Sequence, residues 1–177
     1  MTPDRLLDRA LLRRAFDLLA TKLARRRVVG ELHVFDGAAM VLAFDDRAAT
    51  RAVDALFRPD GPVLEAAREV ADELELPRSW LNNQASSYVS GRAGRGTPVY
   101  DHPNLRVLTT PPEHLLAMKV RAARAARDAD DLRLLLDALD IHTPDQVLDI
   151  LARFFPDEPI SDRSRQLVED LLTEQPP

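Results

Sequence analysis

Cysteine is absent from the 177 residues, which removes a disulfide framework, a thiolate zinc site and a cysteine nucleophile together. A reducing, cytoplasmic setting is the expectation. Lysine is almost absent as well: Lys22 and Lys119 are the only two among 24 basic residues, and the rest are arginines, as a GC-rich bacterial genome would encode. A drift toward arginine tends to spare positions that need a compact ammonium, so each lysine carries information. No window approaches the ~20 apolar residues of a membrane span, and the opening MTPDRLLDRALLRR alternates charge with leucine instead of offering an apolar signal core. No membrane partner is expected.

Chemical signatures are missing too. There is no Walker loop, no GxGxxG fingerprint and no nucleophile elbow, so hydrolase and dehydrogenase readings lack a footing. His33, His102, His114 and His142 are scattered without the i, i+4 pairing of a metal site and read as structural.

What is present is a chain with 45% hydrophobic and 30% charged residues and a formal charge of −5. At this length a single domain over 1–177 can bury a full core, and any nucleic-acid contact must be local. Leu6, Leu7, Ala10, Leu11, Ala15, Leu18, Leu19 and Leu23 recur at helical spacing and predict a helix over 4–27, closed by Arg25, Arg26 and Arg27. A short strand, 32–35, then meets Asp36-Gly37 and a buried helix, 38–44. Residues 51–57 have strand length and end at Pro59-Asp60-Gly61, after which 62–75 is helical. Pro77 opens an irregular stretch, read as a mobile loop over Ser90 to Thr97 with Arg92 and Arg95. Pro98-Tyr100 and Leu105-Leu108 predict a hairpin. Helices are expected over 113–127, 129–140, 145–154 and 161–173. The order describes an α+β fold: a small mixed sheet flanked by helices over 28–110, with a helical C-terminal half, 111–177.

Four positions stand out chemically. Asp36-Gly37 turns a buried strand into a buried helix, which either cradles a phosphate on backbone N–H groups or is an ordinary turn with Asp36 as cap. The strand period places Asp54 with Ala52 and Leu56 on a face suited to a core, so a metal ion or an arginine such as Arg47 or Arg51 should meet it. Lys119 falls at the centre of the stripe formed by Leu115, Leu116, Ala122, Ala123 and Ala126, so it either snorkels to water or faces an anion in a cleft. Asp128 reads as an N-cap with Asp131 as its acidic N3 partner, while Asp131 lies close enough to the leucine stripe to orient the lysine.

Phe35-Asp36-Gly37-Ala38-Ala39-Met40, Arg47 to Phe57, Leu115-Leu116-Ala117-Met118-Lys119 and Arg127-Asp128-Ala129-Asp130-Asp131-Leu132, taken in order, resemble the nucleotidyltransferase-like family that contains the AbiEii and MenT toxins. The resemblance spans roughly 28–155. It implies a nucleotidyltransferase-like fold, with Gly37 in a phosphate-cradling turn and Thr50 and Arg51 beside it in contact with the nucleotide. Asp54 would be the second carboxylate of a metal-binding Asp-x-Asp, and Lys119 and Asp131 would complete the catalytic set. It further implies Mg²⁺ as cofactor, an NTP as donor and an RNA such as tRNA, or a protein hydroxyl, as acceptor. A cognate antitoxin would be the partner.

Two departures accompany the resemblance: Asp36 replaces the first glycine of the turn, and Ala52 replaces the first carboxylate of the pair. Losing a metal ligand cripples metal-dependent transfer, and a negative charge at the turn repels a triphosphate unless Asp36 itself becomes a ligand. A decayed or repurposed member, an engineered inactive variant and a site rebuilt around Asp36 and Asp54 are all compatible with them. A non-catalytic scaffold that keeps the fold for partner binding is the competing reading. Arg92, Arg95, Arg121 and Arg124 are the expected RNA contacts, Asp101 is a candidate third carboxylate, and the leucine-rich C-terminal helices suit a homodimer.

Overall fold

Five strands hydrogen-bond in the order β5-β4-β2-β7-β6 in a computed structural model that describes residues 5–44, 47–84 and 96–174: β2 (Gly30–Phe35), β4 (Val53–Arg58), β5 (Leu81–Asn82), β6 (Thr97–His102) and β7 (Leu105–Thr109). The sheet is mixed. β2 runs antiparallel to β4 and parallel to β7, β4 is parallel to β5, and β6 and β7 close a hairpin across Pro103 and Asn104. Described residues up to Thr110 form one compact unit and those from Pro111 onward a second.

In the first unit the strand period decides what is buried. Leu32 and Val34 of β2 and Val53, Ala55 and Phe57 of β4 point into the core. The first unit also contains α1 (Arg9–Arg25), with Leu12, Phe16, Leu19 and Leu23 buried, and α3 (Asp60–Leu74), with Val63, Ala66 and Val70 buried. Trp80 is fully buried and donates its indole N–H to the Ala67 carbonyl at 2.8 Å, which ties the segment after α3 back onto that helix.

Helix α1 does not start at residue 4 as the leucine spacing suggests. Leu7–Asp8 form β1, paired with β3 (Ala49–Thr50), and the Asp8 carboxylate accepts the Leu11 N–H at 2.7 Å. That cap captures an orphan N–H and fixes the helix start at Arg9. The predicted strand over 51–57 likewise starts later, because β3 ends at Thr50, β4 begins at Val53 against Leu81, and the ladder to β2 begins at Asp54 opposite Phe35.

The second unit is helical: α4 (Pro112–Ala122), α5 (Ala125–Ala138), α6 (Pro144–Phe154) and α7 (Asp162–Glu174). Its core combines Leu115, Leu116, Leu132, Leu135, Val147, Leu151, Leu167 and Val168. Thr143 and Gln146 form a reciprocal capping box at α6, with Pro144 in the first turn. The break expected at Asp128, between helices over 113–127 and 129–140, falls instead at Ala123 and Arg124. Ala123 takes a left-handed conformation, φ 48°, and its N–H is held by the carbonyls of Lys119 and Val120 at 3.1 Å each. The alanine-rich sequence conceals this break, because alanine has the best helix propensity and gives no stop signal.

Candidate functional site

Phe35 leaves β2 extended, and Asp36 then adopts φ +58°, a region where aspartate is several-fold enriched among non-glycine residues. Helix α2 (Asp36–Ala43) begins there. Its N-cap is Phe35, which has no side-chain acceptor, so Asp36 is the first helical residue and not the cap. The first-turn N–H groups of α2 therefore lack the side-chain oxygen that normally satisfies one of them.

Gly37 is required sterically. A Cβ there would lie 2.6 Å from Thr50 Oγ1 and 3.8 Å from an Arg47 guanidinium nitrogen. Thr50, buried at the end of β3, also donates its hydroxyl to the Ala52 carbonyl at 3.2 Å. One side chain thus packs against the turn and holds the bend leading into β4. Sequence spacing could not reveal this role, since nothing local marks Thr50 as the contact of Gly37. Arg51 sits on that bend with its residue exposed.

Asp54 registers opposite Phe35 on β2 and beside Asn82 on β5, so the carboxylate strand and the turn occupy the same end of the sheet. Its face is not the core face predicted from the strand period. Val53, Ala55 and Phe57 are buried, whereas Asp54 is half-buried and Leu56 is 38% exposed. The alternation was legible, but which side was covered depended on where the helices packed. Among the described residues no group of three or more His, Asp or Glu side chains is arranged to hold a metal ion. Asp101 is exposed on β6, across from Arg106.

In the second unit Lys119 and Asp131 are brought together, and Asp128 joins them. Lys119 Nζ lies 3.0 Å from Asp128 Oδ1 and 3.1 Å from Asp131 Oδ2, with all three side chains at most 6% exposed. Asp128 also accepts from Arg124 Nε at 2.9 Å. Asp128 is therefore not an N-cap: α5 starts at Ala125 and carries Asp128 inside its first turn. An ammonium between two carboxylates, one of them shared with a guanidinium, is a charge-matched cluster, which is how buried charges persist.

His114 of α4 is buried and stacks parallel on Phe154 of α6, with ring centroids 4.7 Å apart. Burial pushes its imidazole pKa below the usual histidine value. Arg121, expected on an RNA surface, is paired with Glu158 and lies over the Phe155 ring at 4.7 Å. Arg124 is engaged by Asp128. Arg92 and Arg95 lie outside the described residues.

No protein-family model, curated protein or solved structure matches the chain. No helix among the described residues is long and apolar enough to cross a membrane.

Proposed function

We propose that this chain is a nucleotidyltransferase of the toxin type, moving a nucleotide from an NTP to an RNA such as tRNA or to a protein hydroxyl. The observation that carries the reading is the juxtaposition in the first unit. A strand-turn-helix with no room for a side chain at Gly37 lies at the same end of the sheet as Asp54. Close packing of Thr50 on Gly37 fixes the turn, and the backbone amides at the start of α2 are the groups that would meet phosphate oxygens.

Asp36 and Asp54 are hard oxygen donors that suit Mg²⁺, an ion commonly held by one or two carboxylates with substrate phosphates completing its shell. When bound, Mg²⁺ would supply charge neutralisation of the triphosphate. The protein's part is positioning. Thr50, packed against Gly37, fixes the turn against the approach to β4, the backbone amides at the start of α2 face the phosphate, and the acceptor hydroxyl attacks the α-phosphorus in line as pyrophosphate leaves.

A second reading, a partner-binding scaffold that retains the fold, is favoured by Lys119 itself, whose charge is already matched by Asp128 and Asp131. One assay separates the two. Transfer of label from α-³²P NTPs is expected to need Mg²⁺, to rise with Ala52→Asp and to fall to background with Asp54→Asn. If neither the parent protein nor the Ala52→Asp variant binds ATP, GTP, CTP or UTP by calorimetry, the transferase reading is wrong and the scaffold reading stands.

A further inference from the structure

Charge is strongly segregated along the chain. Residues 5–27 hold eight basic and two acidic side chains, a net +6, while the remainder of the 177 residues, with 16 basic and 27 acidic, is net −11. Part of that positive charge is consumed internally. Lys22 pairs with Glu69 and Glu73, Arg26 with Glu69, and Arg5 and Arg9 donate to the carbonyls of Leu74 and Val41. Among the described residues the guanidinium groups of Arg13, Arg14, Arg25 and Arg27 have no such partner, and all four residues are exposed.

Arg13, Arg14 and Arg25 lie on the solvent face of α1, opposite the buried Leu12, Phe16, Leu19 and Leu23, and Arg27 follows just beyond its end. The twelve residue steps from Arg13 to Arg25 span about 18 Å at ~1.5 Å each, long enough to follow several phosphates. The one acid on this face, Asp17, accepts the Tyr100 hydroxyl at 2.7 Å. Burial and that hydrogen bond raise the Tyr100 pKa, so the phenol stays a donor to Asp17.

We propose that this outer face of α1 docks the phosphate backbone of a nucleic acid. Between the arginines stand Asp17, Thr21 and Ala24 with Leu18 only half-buried beside them, and Val29 is exposed just beyond Arg27, so apolar side chains are few beside the charge and no aromatic is among them to supply the anchor that carries most protein-interface energy. A phosphate backbone needs none, because release of condensed counterions drives its binding. Guanidinium forks also match phosphate oxygens two at a time. This surface is independent of nucleotide transfer and operates whether or not the chain is catalytic.

The test uses the full chain without Mg²⁺ or nucleotide. Binding of a fluorescent single-stranded RNA is followed by anisotropy from about 50 to about 200 mM salt. Four neutralised phosphates predict a slope of log K against log salt near −3, at ~0.7 per contact, and Arg13→Gln with Arg14→Gln is expected to reduce its magnitude by about 1.4. Arg163→Gln with Arg165→Gln, on α7, is expected to leave the slope unchanged. Absence of binding at the lowest salt, a slope unmoved by the α1 double variant, or tighter binding of poly-glutamate than of RNA would each overturn the proposal. Trp80 emission verifies that the variants retain the fold of the unit being tested.

Discussion

Lys119 and Asp128 are nine residues apart, yet their side chains meet at 3.0 Å in the core of the helical unit. One uninterrupted helix would separate them by about 13 Å along its axis. The left-handed residue Ala123 turns the chain so that α5 folds back against α4, and the first turn of α5 delivers Asp128, then Asp131, to the ammonium.

Removing either partner unbalances the charge of a cluster that water barely reaches. Asp128→Asn and Lys119→Met are each expected to cost about 3–5 kcal/mol, with Lys119→Met the worse because it takes the ammonium from two buried carboxylates at once, whereas Asp128→Asn leaves Lys119 its contact with Asp131. Urea unfolding followed by far-ultraviolet circular dichroism measures this. A loss below about 1 kcal/mol for both would show that the cluster is solvated.

Gly37→Ala places a methyl group 2.6 Å from Thr50 Oγ1, well inside contact distance. Overpacking of this kind costs about 1–3 kcal/mol. Thr50→Ala removes the obstructing hydroxyl, so the double variant is expected to recover much of the loss. A double-mutant cycle with no coupling between 37 and 50 would contradict the geometry.

His114 gives the helical unit a pH dependence. Burial holds its folded pKa below the ordinary histidine value of 6.5, so the unfolded chain binds the proton more readily. The stability contribution is therefore fully present above pH 6.5 and is lost as pH falls through the lower folded pKa. Thermal unfolding from pH 7.5 to pH 5 should show a decline that His114→Phe flattens. An equal decline in the variant would assign the effect to another group.

Both lysines are closed to solvent, with side chains 6% exposed at Lys22 and 3% at Lys119. An amine-reactive ester is expected to leave both unmodified in the native protein and to label both after denaturation. Peptide mapping by mass spectrometry reads the outcome, and native labelling at Lys119 would mean that its carboxylate cluster opens in solution.

Local pattern was enough to indicate several elements. The leucine spacing of α1, the hairpin around Pro103-Asn104 and the strand-turn-helix at Phe35-Asp36-Gly37 rest on periodicity and turn chemistry, both properties of neighbouring residues. The importance of Lys119 was also legible, because a lone lysine on an apolar stripe demands a partner. Asp131 was legible as one partner, but Asp128 was not. Asp128 looks like a helix cap until Ala123 breaks the helix, and alanine offers no signal for that break. The same holds for Asp54, whose alternation with Val53 and Ala55 is a fact of the strand, while the side that water reaches was set by the helices that cover it. Thr50 gains its role only through contact with Gly37 across thirteen positions of chain. Amino-acid order thus determined which residues share a face. Tertiary packing decided which face is dry and which charges meet, because burial and pairing energies depend on neighbours that are remote along the chain.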